Sequence, residues 1–174
     1  MNDKFDPKAQ LLKDVLDSYK EEHRELSEIW RNLDAKSQGV IAIDGIFIAA
    51  MFAFIRALSE SQTCDERWML MISASLLTIS VVLAIRVLWI RSVPSAPVGE
   101  SLESLVDDLL KLEDGTQTER LHNLFKDHAE MWKSINSKVQ EVNESKARLL
   151  VIAQGVLLAA ILAIVLLTFL KIWS

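Results

Sequence analysis

Three polar residues stand in or at the end of otherwise apolar runs, and their chemistry is the first thing to account for. Asp44 lies within GVIAIDGIFIAAMFAFI (39–55), Arg86 directly follows WMLMISASLLTISVVLAI (68–85), and Gln154 lies within LLVIAQGVLLAAILAIVLLTFL (149–170). A charge in hydrocarbon is costly unless it is paired or its side chain reaches the interface. Counting inward from the polar end of each run puts all three residues in one layer. The expectation is therefore an Asp44–Arg86 ion pair with Gln154 beside it. Such a group could lock the helices in place, or it could belong to a gate or ion path.

Small residues form a second pattern. Gly45, Ala49 and Ala53 are spaced i, i+4, i+8, and Gly155, Ala159 and Ala163 repeat the spacing. Small residues at this interval let helices approach closely in lipid. They can pack within one chain or form a face between subunits.

The apolar runs that carry these residues have the length of membrane spans. A hydrocarbon core of ~30 Å needs ~20 helical residues. The spacing predicts spans over 39–58, 68–91 and 149–172, with a short outer loop over 59–67 that holds Cys64. The first run is the shortest, and a buried helix of a soluble protein is its alternative.

The intervening segments, 1–38 and 92–148, hold most of the charge and are also patterned. Leu12, Leu16, Tyr19, His23, Leu26, Trp30 and Leu33 recur at alternating steps of four and three, as do Leu121, Phe125, His128, Trp132, Ile135, Val139 and Val142. That is the heptad seam of a coiled coil. Each seam reaches its apolar run without a Gly or Pro, so each is predicted to be one long helix, part stalk and part span. A Pro/Ser-rich linker, SVPSAPVGES, precedes a short amphipathic helix with Leu102, Leu105, Val106, Leu109 and Leu112 on one face. The expected cytoplasmic domain is a three-helix bundle.

The stalk-plus-span unit looks repeated. Aligning Leu33 with Asn143 places Lys36 on Lys146, Asp44 on Gln154, and Gly45 on Gly155. Two amphipathic membrane helices of similar composition would look partly alike without being a repeat.

Lys and Arg predict the orientation. Seven lie in 1–38 and eight in 91–148, against Arg56, Arg67 and Lys171 on the other side. The positive-inside rule then puts the N-terminus in the cytoplasm and the C-terminus outside. Trp68 and Trp173 would mark the outer interface and Trp89 the inner one.

Composition narrows the function. The 174 residues are 51% hydrophobic and 25% charged, with only 5 Gly, 3 Pro and 1 Cys. So few turn residues argue against an all-β fold, and one Cys excludes a disulfide scaffold. There is no Gly-rich phosphate loop, GxSxG or HExxH. His23 and His128 sit on apolar seams, and no closed zinc spacing exists. No cofactor or metal is expected, an enzyme is the least supported class, and the net charge of −5 disfavours nucleic acid.

The stretch LDAKSQGVIAIDGIF, an acidic-x-Lys step entering a span, resembles the small bacterial membrane effectors of nucleotide-triggered antiphage defence, the Pycsar-type transmembrane effectors and the related SLATT domains. ESKARLLVIAQGV echoes it. The resemblance implies membrane disruption on activation, with no chemistry by the protein itself. The full expectation is an all-α, three-span membrane protein with long helices continuing into a cytoplasmic helical bundle. It would sit in the plasma membrane as a homo-oligomer and act as an effector or pore-like responder to a cytoplasmic protein or small-molecule signal. The alternative is a scaffold that docks a cytoplasmic partner through its stalks.

Overall fold

The computed structural model describes residues 7–57, 64–90 and 114–173. It is all-helical over these residues, with α1 (Pro7–Ala57), α2 (Cys64–Trp89) and α3 (Asp114–Trp173). All three helices are long and apolar enough to cross a membrane. The short amphipathic helix expected around 102–112 lies outside the described residues, as do the side chains of Leu12 and Leu121.

The helices follow from the sequence locally. Pro7 opens α1, where its missing N–H costs nothing. No Pro interrupts any of these helices thereafter, and among the described residues none, glycine included, has a positive φ. Cys64 opens α2 and does not lie in a loop, so α2 starts four residues before the expected boundary at Trp68. The extra turn, Cys64-Asp-Glu-Arg, carries the acidic residues that favour a helix N-terminus.

The chain divides into two compact units. The first, here the stalk unit, takes α1 up to Ile29 and α3 up to Val142. The second, the span unit, takes α1 from Trp30, all of α2, and α3 from Asn143. Helices α1 and α3 thus contribute to both.

Within the stalk unit the seam residues pack inward. Leu16, Ile135 and Val139 are buried; Tyr19, His23, Leu26, Phe125, His128, Trp132 and Val142 are half-buried. Asn136 adds a polar clasp: its Nδ2 donates to the Tyr19 carbonyl at 2.9 Å and to Glu22 Oε2 at 2.9 Å. Its Oδ1 faces His23 Nδ1 at 3.2 Å, so that nitrogen carries the proton. The His23 ring meets Trp132 edge-on with centroids 5.2 Å apart. A buried Asn in such a seam fixes the register of two helices, because any slip leaves it unsatisfied.

In the span unit the stepping continues. Trp30 and Leu33 lead to Ser37, Val40, Asp44, Phe47, Met51 and Phe54, all buried or half-buried. On α2 the fully or nearly buried residues are Leu70, Ser73, Leu77, Ser80, Ala84 and Val87, again at steps of three and four. On α3 they are Asn143, Lys146, Leu150, Ala153, Leu157, Ala160 and Leu167. The inner seams are therefore apolar residues interrupted at regular heights by polar ones. The outer faces carry exposed Ile, Val, Leu and Phe, which suits a lipid solvent.

Candidate functional site

Two polar layers lie inside the span unit. The first is built on Asp44, which α1 points into the bundle with no exposed surface. Ser80 of α2 lies opposite and donates to Asp44 Oδ2 at 2.8 Å. The same hydroxyl stands 3.1 Å from the Ala153 carbonyl of α3. One hydroxyl proton thus faces two acceptors, while Asp44 Oδ1 is buried with no partner at all. With Asp44 ionised, the layer would hold more acceptor oxygens than donors. Each helix supplies one member.

The second layer is a closed triangle nearer the start of the spans. Lys146, fully buried on α3, donates to Asp34 Oδ1 at 2.8 Å. Trp30 Nε1 donates to Asp34 Oδ2 at 3.0 Å. The Lys146 ammonium lies 3.6 Å from the centroid of the Trp30 ring. The cation is neutralised on one side by a carboxylate and on the other by a π face, so its burial is compensated. One turn further into the spans, Ser37 donates to the Ala84 carbonyl at 2.6 Å, clamping α1 to α2. Hydroxyls elsewhere on the spans turn back on their own helices, as Ser73 does to Met69 O at 2.9 Å and Thr168 to Ile164 O at 2.9 Å. Towards the opposite end of the spans, Phe47, Met51, Leu70, Ser73, Ile164 and Leu167 help line a mostly apolar cavity of about 170 Å³.

The expected Asp44–Arg86–Gln154 group is not formed. Arg86 is exposed and has no ion-pair partner among the described residues, and Gln154 is exposed as well. Gln154 stands at the depth of Asp44 but faces away, whereas Arg86 differs from Asp44 in both depth and direction. Arg86 lies six residues past Ser80, about 9 Å along α2 and about 240° around it. Gln154 follows the buried Ala153 and therefore points outward.

The small-residue stripe also faces outward. Gly45, Ala49, Ala53, Gly155 and Ala159 are exposed and Ala163 is half-buried. A Cβ added at Gly45 or Gly155 would meet nothing within 4 Å. These residues do not hold spans one and three together within one chain. The repeat alignment is only partly reproduced in packing: Val40 and Leu150 are both buried and Gly45 and Gly155 both exposed, but Asp44 and Lys146 are buried while their aligned partners Gln154 and Lys36 are exposed.

Sequence reasoning missed Ser37, Ser80, Asp34 and Lys146. A signal for two of them was present. Extending the first stalk seam past Leu33 by steps of four, three and four lands on Ser37, Val40 and Asp44. Extending the second past Val142 by four lands on Lys146.

The fold and its buried polar layers define a multi-span helical membrane protein with charged groups held inside its span bundle. The family model of the Pycsar effector protein domain matches residues 18–173, and the chain belongs to that family. It is accordingly a membrane effector of antiphage defence. The match covers both acidic-x-Lys steps, α1 from Ser18 onwards and all three spans, well beyond the two short stretches that carried the resemblance. Comparison with curated proteins and with solved structures gave no match.

Proposed function

We propose that the protein is a non-enzymatic, oligomeric effector whose spans rearrange on a cytoplasmic signal and open the membrane to ions. The observation that carries this reading is the Asp44 layer. A carboxylate with an unfilled oxygen, sequestered inside an apolar bundle, stabilises little and has to be held there for another reason. Turned towards a gap between subunits, it would line a hydrated path. The outward Gly45/Ala49 and Gly155/Ala159 faces support the oligomer, since they leave room for a neighbouring helix to come close. The signal, a small molecule or a protein, would act on the stalk unit, whose helices α1 and α3 continue into the spans. Reconstituted vesicles loaded with a self-quenching dye should leak when the triggering nucleotide or partner is added. Vesicles that stay tight, with the protein bound in stable stoichiometry to a cytoplasmic partner, would favour the scaffold instead.

Two further results are expected. Gly45→Leu and Gly155→Leu should leave the monomer folded and no less stable, because an added Cβ meets nothing within 4 Å and leucine is the better helix former. Both should lower the oligomeric mass in mild detergent. Orientation has a built-in reporter, since Cys64 is the chain's one cysteine. With the N-terminus cytoplasmic, a membrane-impermeant maleimide should label Cys64 in intact cells. Labelling that requires lysis would reverse the topology.

A further inference from the structure

The span unit carries a ring of cations at one height. Two contacts fix the axial register of its three helices. Lys146 to Asp34 sets α3 against α1, and Ser37 to Ala84 sets α2 against α1. Lys36 lies two residues beyond Asp34, and Arg148 two residues beyond Lys146, in the same direction. Arg86 lies two residues beyond Ala84 on the antiparallel α2. At ~1.5 Å per residue the three side chains start within about 5 Å of one another along the bundle. Each belongs to a different helix and each is exposed, so none of the three charges is buried inside the unit.

The ring also has a sharp boundary. Towards the far side of the bilayer the next 19 residues of α1 (37–55) contain no charge except the buried Asp44. The 18 residues of α2 from Trp68 to Ile85 and the 22 of α3 from Leu149 to Leu170 contain none. Those lengths span ~27–33 Å, the thickness of one hydrocarbon core. The cations therefore stand at the level of lipid headgroups. Arg148 lies 4.0 Å from Glu144 Oε2, but both side chains are more than half exposed, and a pair so wetted does little to cancel the charge.

We propose that Lys36, Arg86 and Arg148 form a binding girdle for the phosphate groups of anionic phospholipids in one leaflet. Lys and Arg side chains of this length take phosphate oxygens while their methylene stems lie against acyl chains. Lipids held in this way would tie the height of the spans to membrane composition. The girdle does not depend on the protein's opening the membrane.

The test compares wild type with K36Q/R86Q/R148Q, both reconstituted into nanodiscs of mixed phosphatidylcholine and phosphatidylglycerol, with retained lipids counted by native mass spectrometry. Wild type should retain phosphatidylglycerol preferentially, and the preference should fall about fivefold for each cation removed. Equal retention by wild type and the triple variant would overturn the proposal. So would displacement of phosphatidylglycerol from wild type by inorganic phosphate, which would make this a free-phosphate site. Circular dichroism checks the variant's fold; if the triple variant is misfolded, the three single Gln variants decide the matter by the same fivefold criterion.

Discussion

Asp34→Ala should destabilise the protein by about 3–5 kcal/mol, the range for stranding one member of a buried ion pair. Lys146 would then keep a buried ammonium with only the Trp30 π face beside it, and Trp30 Nε1 would lose its acceptor. The reverse substitution is milder. Lys146→Met fills a similar volume, and Asp34 still accepts from Trp30 while its side chain, 30% exposed, reaches water. The double variant Asp34→Ala/Lys146→Met should therefore be more stable than Asp34→Ala alone, since the orphaned charge is gone. Reversible unfolding in mixed micelles measures all three. Equal and additive losses would show that Lys146 and Asp34 act separately, contrary to the 2.8 Å contact.

Asp44 should behave in the opposite sense. Asp44→Ala removes a carboxylate from the interior of the spans and leaves Ser80 free to donate fully to the Ala153 carbonyl. An ionisable group at the centre of a span carries an insertion cost of about 2.5–3.5 kcal/mol. Its loss should leave the protein as stable as wild type or more so, by up to about 3 kcal/mol. Effector activity should nevertheless drop by at least about tenfold, read as loss of phage protection in cells expressing the variant at wild-type level. That combination, stability kept and activity lost, separates a functional polar layer from a structural one. Asp44→Asn refines it, because the amide can still hydrogen-bond Ser80 but has no charge to offer a cation. If charge is what matters, the Asp44→Asn variant should fold normally and remain inactive.

Much of this was legible in the sequence, and the rest was hidden for several distinct physical reasons. Periodicity identified the inner faces of the stalks, because an apolar residue at every third or fourth place has few ways to be buried. Hydropathy and length identified the spans, because a bilayer imposes both. Polar residues within the spans were read by depth alone. Counting from the ends of the runs made Asp44, Arg86 and Gln154 neighbours, but Arg86 stands about 9 Å along α2 from Ser80, and a helix also assigns each residue a direction. The seams, had they been extended past Leu33 and Val142, would have turned Asp44 and Lys146 inward and left Gln154 outside. Ser80 was harder to see, since a serine among Ser and Thr residues that bond their own helices has no distinguishing neighbour in sequence. The Gly and Ala stripe misled in a different way. Small residues permit close approach, but nothing in their spacing says whose helix approaches.

In the proposed function the buried Asp44 layer is the element through which this effector opens a membrane. Dye leakage from vesicles holding equal amounts of wild type or Asp44→Ala, triggered identically, is the decisive measurement of that role. Rapid leakage is expected with wild type and tight vesicles with Asp44→Ala, although both proteins are folded and inserted. Leakage of equal rate and extent from the two would contradict it.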